Sequence, residues 1–153
     1  MQIYFAGPLF TQYERDFIAE AAAKIRAAGI EVFVPHEQSL PEGEITAKAV
    51  FRKDGEGLFP ANAVLALLDG PMVDDGTACE IGLFYGMKMN GDTSKKGIIG
   101  LVTDSRSVGS KGRQLEGKGI NLYVQGCIEE IGEVVTDVDA ALEILQRWNA
   151  ELS

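Results

Sequence analysis

The sequence predicts a doubly wound α/β domain, a parallel sheet of about five strands with helices on both faces. Short β-branched or aromatic segments alternate along the chain with longer stretches whose apolar residues recur at three- and four-residue steps. The segment Ala63 to Leu68 is apolar without a break, as suits a strand buried on both faces. Size agrees with this reading: 153 residues, 46% hydrophobic and 24% charged, suit one domain over residues 1–153 with enough apolar side chains for a core.

Each element follows from local pattern. Gln2 to Ala6 forms a first strand, closed by Gly7-Pro8. From Thr11 to Ala28, Phe17, Ile18, Ala21, Ala22, Ile25 and Ala28 mark one face of a helix of about five turns, which Gly29 stops. Glu31 to Val34 is a second strand before Pro35, and Pro35 to Gly43 is loop. A helix interrupted by Gly55 and Gly57 runs from Glu44 to about Gly57, ahead of the third strand at Ala63 to Leu68. Thr77 to about Met89 is helical, Gly97 to Thr103 is a fourth strand, and Asp104 to Gly119 is a loop rich in Gly, Ser and Lys. Asn121 to Ile131 makes a short helix and Val134-Val135 a weak fifth strand. Val138 to Ala150 closes the chain as a helix with Val138, Ala141, Leu142, Leu145 and Trp148 on one face. The arrangement is flavodoxin-like or Rossmann-like.

Charge and composition exclude several function classes. Fourteen Lys+Arg against 23 Asp+Glu give a net charge of −9, with no concentrated basic patch, so neither a nucleic acid polymer nor an anionic membrane is an expected partner. The apolar run Ala63 to Leu68 is far shorter than the roughly 20 residues that span a bilayer. The N-terminus has no basic flank before its apolar residues, so the chain reads as untargeted. Cys79 and Cys127 form neither a C-x-x-C pair nor a disulfide framework, which suits a reducing, cytoplasmic compartment. A single histidine, His36, excludes a site with several His ligands. A Ser-His-Asp relay would have to rest on that one ring, so carboxylates must carry any chemistry.

In a doubly wound sheet the ligand crevice lies beyond the carboxyl ends of the strands, here at Gly7 to Thr11, Pro35 to Ser39, Asp69 to Thr77 and from Thr103 onward. Gly7 lets backbone approach a ligand closely, or serves an ordinary turn; the segment lacks G-x-G-x-x-G and P-loop spacing. Between Asp69 and Glu80, four carboxylates fall within twelve residues at a strand end and helix start, an arrangement that mutual repulsion makes costly. Thr77-x-x-Glu80 matches a capping box, with Thr77 as N-cap. The alternative puts Glu80 in the first turn as an ionised nucleophile favoured by the helix dipole. Ala78, Gly82 and Gly86 would let this helix lie close to the sheet. Asp54, in a polar helical stretch, and His36-Glu37-Gln38, in a loop, would be solvated residues if taken in isolation.

Taken together, Ile3-Tyr4-Phe5-Ala6-Gly7-Pro8, Asp54, Asp74-Asp75-Gly76-Thr77-Ala78-Cys79-Glu80-Ile81-Gly82 and Gly119-Ile120-Asn121-Leu122 resemble the nucleoside 2-deoxyribosyltransferase family, in order and over nearly the whole chain. The resemblance implies exchange of the base on a 2'-deoxynucleoside through a covalent deoxyribosyl ester, with retention at C1' and without metal or organic cofactor. It makes Glu80 the nucleophile, Tyr4 the residue that orients it, and Asp54 the acid that protonates the leaving base, with Asp69 as a rival acid. Phe10 would lie against the base, and Glu37 or Gln38 would read its edge. Asp74 and Asn121 would hold the sugar hydroxyl end, Asn121 coming from a neighbouring subunit. The implied assembly is a homo-oligomer, dimer or higher, with a shared site, working in nucleotide salvage on deoxynucleosides and free bases. Two positions depart from the family pattern: Leu9 stands where an aromatic residue is frequent, and the chain ends Trp148 to Ser153 without the C-terminal aromatic residue.

Two other functions fit the same residues. One is an N-glycosidase that hydrolyses (deoxy)nucleosides or their 5'-monophosphates; relatives that act on deoxynucleoside 5'-monophosphates carry serines at the positions of Asp74 and Asn121. A carboxylate about 4 Å from a phosphate costs of order 1 kcal/mol per charge pair even in water, so a free 5'-hydroxyl fits better here. A non-catalytic nucleotide-sensing domain would leave Glu80 as a helix cap only.

Overall fold

The computed structural model describes residues 1–104 and 119–152. One sheet of five parallel strands has the order β2-β1-β3-β4-β5, with β1 Gln2–Ala6, β2 Glu31–Phe33, β3 Ala63–Leu67, β4 Gly97–Leu101 and β5 Glu133–Val135. The helices are α1 Gln12–Ala27, α2 Ala47–Leu58, α3 Asp75–Met89, α4 Leu122–Ile131 and α5 Val138–Ala150, and a 3₁₀ turn covers Pro35–Glu37. The doubly wound fold is as the sequence predicts. Strands β2, β3 and β4 stop short of their expected ends, at Phe33, Leu67 and Leu101, β5 starts earlier than expected, at Glu133, and α2 begins at Ala47, where the Thr46 side chain caps it by accepting from Ala49 N. The loop expected over 104–119 falls, apart from its two end residues, outside the described residues.

Side-chain alternation along the strands sorts the core into two layers. Ile3, Phe5, Val32, Leu65, Ile99 and Leu101 point to the face covered by α1 and α5, joined there by Ile18, Ala22, Ile25, Ile144 and Leu145. Tyr4, Ala6, Val64, Ala66 and Ile98 point to the opposite face, under α2, α3 and α4, with Leu58, Ile81, Phe84 and Ile128. The central strands β3 and β4 are buried at every residue, which is why their sequences carry no polar alternation.

Two details of this packing place the site. Gly7 has no room for a side chain, because a Cβ would sit 3.0 Å from both Ile18 Cδ1 and Leu67 Cβ; its bareness lets α1 close on the sheet. Lys95 is buried with its ammonium donating to Phe59 O at 2.6 Å and Ala61 O at 2.8 Å, so it satisfies carbonyls at the end of α2 and fixes that helix against β3. Among the described residues no helix is long and apolar enough to cross a membrane.

Where a glycine is forced by backbone, substitution is expected to cost stability. A Cβ on Gly132 would lie 1.8 Å from Ile98 O, whereas Gly126, inside α4, faces open space. In urea denaturation Gly132→Ala is expected to lose about 2 kcal/mol or more, while Gly126→Ala gains about 0.5–1 kcal/mol from helix propensity. Equal effects at the two positions would contradict this packing.

Candidate active site

Three elements on the α2/α3 face bring the site together. Tyr4 lies on the β1 face that looks toward α2 and α3, and is fully buried. Its hydroxyl donates to Glu80 Oε1 at 2.5 Å. Glu80 comes from α3 and Asp54 from α2, and both line one cavity of about 150 Å³ between these helices, walled by Phe51, Leu58, Phe59, Cys79 and Leu83. Among the described residues, no group of three or more His, Cys, Asp and Glu side chains is arranged to hold a metal ion.

The helix start differs from the capping box that Thr77-x-x-Glu80 suggests. Asp74 is the N-cap: its Oδ2 accepts from Thr77 N at 2.9 Å and from Thr77 Oγ1 at 3.0 Å. A carboxylate caps with a full charge at the positive end of the helix, so it displaces the threonine from that role. Helix α3 therefore begins at Asp75, and Glu80 falls in the second turn rather than the first, free of any capping duty. The expected dipole effect on its ionisation is overridden as well. Burial pushes the Glu80 carboxyl up to about 7, the nearby Asp54 and Asp74 charges push the same way, and the Tyr4 hydrogen bond and Lys53 pull it back. The Tyr4 hydroxyl is raised far above its usual range by burial and by the facing carboxylates, so it stays a proton donor to Glu80.

The glycines of α3 also differ from expectation. Gly82 is exposed, and a Cβ on either Gly82 or Gly86 would meet nothing within 4 Å, so neither brings the helix closer to the sheet. Only Ala78 of the three packs against the core.

Asp54 is no solvated charge. Its Oδ1 is buried without a hydrogen-bond partner, although Lys53 Nζ lies 3.0 Å away in an ion-pair contact; that ammonium donates to Pro35 O, also at 3.0 Å.

The remaining predicted residues take several places. Phe10 is 77% exposed at the carboxyl edge of the sheet, on a loop held by Glu14, which accepts from the amides of Phe10 and Thr11, and by Arg15, which donates to Leu9 O and Phe10 O. Asn121 caps α4, its Oδ1 accepting from Tyr123 N and Val124 N. Glu37 gives both oxygens to Arg26, at 2.9 and 2.5 Å. Asp69 straps the end of β4: Thr103 N and Asp104 N donate to its Oδ1 at 2.8 and 3.1 Å, and the Thr103 hydroxyl donates to Oδ2.

Sequence reading missed Lys53, Phe33 and the apolar wall. Lys53 sits beside Asp54 in a run that looks like a solvated face. Phe33 was readable only through register, since it pairs with Tyr4 and so shares its face. Phe51, Phe59 and Leu83 belong to no motif, and meet only because α2 and α3 lie side by side.

A doubly wound sheet on whose α2/α3 face a tyrosine-held glutamate and an aspartate line a small apolar cavity has the form of a candidate small-molecule site. The chain belongs to the nucleoside 2-deoxyribosyltransferase family, whose sequence model matches residues 3–135. Among solved structures, a conserved protein from Enterococcus faecalis V583 is 30% identical, with 96% of this chain and 98% of that chain covered and a TM-score of 0.79. The 2-deoxyribosyltransferase from Bacillus psychrosaccharolyticus is 22% identical over 93% of this chain and 90% of that one, TM-score 0.65. The Leishmania mexicana 2-deoxyribosyltransferase is 21% identical over 80% and 84%, TM-score 0.56. These two share the fold. No curated protein matches this chain.

Burial of Glu80 links stability to pH. Its folded value of about 7 lies above the ordinary 4.5, so the fold is free of the cost below about 4.5 and bears it increasingly as pH rises through 7. Glu80→Gln keeps an acceptor for Tyr4 without the charge. It is expected to be more stable than the native chain at pH 8 by an amount of order 3 kcal/mol at most, with the difference closing by pH 4, as followed by thermal or urea melts. A difference independent of pH would contradict a buried, charged Glu80.

Proposed function

We propose that the chain transfers a 2-deoxyribosyl group between nucleobases, with Glu80 as nucleophile. The observation that carries this reading is the Tyr4 hydroxyl on Glu80 Oε1, with Asp54, ion-paired to Lys53, lining the same cavity. The Glu80 carboxylate attacks C1' of the donor, and the C1'–N bond breaks with its electron pair going to the base. Asp54, entering the step in its protonated form with the Lys53 ion pair given up, supplies the proton that the departing base takes up. A second base then attacks C1' of the ester, the glutamate leaves as carboxylate, and the proton from the incoming base returns to Asp54. Two displacements give net retention. Tyr4 fixes which Glu80 oxygen is occupied and leaves the other for carbon.

Asp74 and Asn121, each the cap of a helix at the carboxyl edge, fit a free 5'-hydroxyl better than a phosphate, since an acidic cap repels a dianion. Phe10 is exposed enough to lie on a base, and Gly7 keeps the adjoining backbone close-packed. For the base edge, Gln38 is the freer of the two loop candidates, because Glu37 is held by Arg26. Asp69 serves as a strap rather than as the acid.

The reading includes a homo-oligomer with a shared site. In support, Leu83 and Met89 of α3 and Tyr123 at the start of α4 are large apolar or aromatic side chains exposed in the single chain. Residues 1–153 act as one domain of this assembly, in nucleotide salvage within the cytoplasm.

Incubation with 2'-deoxyinosine or thymidine plus adenine, followed by chromatography, is expected to yield 2'-deoxyadenosine. Glu80→Ala should lower the rate by about 10³-fold or more, and the native rate should fall as pH drops below about 7 and Glu80 is protonated. Free base without a new nucleoside would make the chain an N-glycosidase; neither product would leave a sensing domain. For the shared site, Glu80→Gln and Asn121→Ala chains mixed after dissociation are expected to regain part of the activity that each lacks alone. Persistent inactivity of the mixture would place each site within one chain.

A further inference from the structure

We infer that Phe33 is a positioning residue for this reaction: its ring, stacked on Tyr4 and seated against the bare backbone of Gly57, holds the Tyr4 hydroxyl on Glu80. The inference rests on the reading of Glu80 as nucleophile and adds a residue to it.

Three observations converge. Strands β1 and β2 pair Tyr4 with Phe33, so both side chains stand on the face that α2 and α3 cover. The rings lie 5.7 Å apart between centroids and 14° from parallel, a stacked pair. On its other side the Phe33 ring reaches α2, where a Cβ on Gly57 would fall 2.2 Å from Phe33 Cδ1 and 2.3 Å from Cγ. Gly57 leaves space for this ring, and it lies three residues after Asp54 on the same helix.

The geometry gives the ring two neighbours that matter for catalysis. It touches the tyrosine that serves Glu80, and it spaces the helix that carries Asp54 from the sheet. Strand β2 is an edge strand of three residues, so its last side chain has no sheet neighbour on the outer side to fix it. The Gly57 backbone supplies that fixation. Lys53, donating to Pro35 O two residues after Phe33, ties the same strand end to the same helix. A hydrogen bond weakens as its donor is displaced or tilted, so loosening the stack loosens the Tyr4 hold on Glu80.

The test is a double-mutant cycle on base exchange with the native chain, Phe33→Leu, Tyr4→Phe and the pair, with Phe33→Tyr as conservative variant. Phe33→Leu is expected to lower kcat about tenfold with KM within about twofold, as misorientation does. Adding it to Tyr4→Phe should cost nothing further, and Phe33→Tyr should restore kcat. The same loss in both backgrounds, or no loss in Phe33→Leu, would overturn the inference; Phe33→Met replaces Phe33→Leu if the latter does not fold. A readout free of turnover is the NMR titration of the Glu80 carboxyl carbon. Its midpoint is expected to move in Phe33→Leu in the same direction as in Tyr4→Phe, and an unmoved midpoint would also overturn the inference. If the native chain exchanges and hydrolyses nothing, the functional reading fails, and the titration still decides whether Phe33 holds the pair.

Discussion

A carboxylate withdrawn from water between a helix and a sheet is costly unless something donates to it, and the Tyr4 hydroxyl on half-buried Glu80 is the contact on which the rest of this site depends. Desolvation and two nearby acids oppose the charge, while the tyrosine and Lys53 favour it. The balance leaves Glu80 divided between its two protonation states near neutrality. Such a group is neither a permanently solvated anion nor a permanently neutral acid, and both extremes would be poor for a nucleophile that must leave again in the second step.

The fold supplies this balance through ordinary packing. Period-two alternation in β1 sends Tyr4 to one face while Ile3 and Phe5 anchor the other layer. Asp74 takes over the helix cap and so releases Glu80 from local hydrogen bonding. Glycine at position 57 lets α2 settle near β2, and the buried Lys95 holds the end of that helix. The Tyr4, Glu80 and Asp54 geometry is thus carried by strands and helices rather than by loops, which keeps these groups on rigid supports.

The parallel sheet and its covering helices were legible in the sequence because periodicity and unbroken apolar runs report burial directly. Helix α5 begins and ends where the pattern places it, at Val138 and Ala150. Helix starts were less legible: Thr77 and Asp74 both make good caps, and only the closing of the turn on Asp74 decides between them. For Glu80 and Asp54 the motif resemblance supplied what composition did not, since a carboxylate in a polar helical run looks solvated until tertiary packing buries it. Phe33, Lys53 and the cavity wall were beyond sequence reading for the same reason. Their meaning comes from strand register and from the contact of two helices, and neither has a local signature. The small residues of α3 misled in the opposite direction, since Gly82 faces outward.

The central claim is that Glu80 forms a bond to the sugar. Intact-protein mass spectrometry after mixing with a 2'-deoxynucleoside donor and no acceptor base tests it most directly, with peptide mapping of any adduct. One deoxyribosyl unit is expected on Glu80, lost again when adenine is added and absent from Glu80→Gln. Base exchange proceeding without any adduct under quenched-flow conditions, or an adduct mapping to Asp54 or another residue, would contradict it.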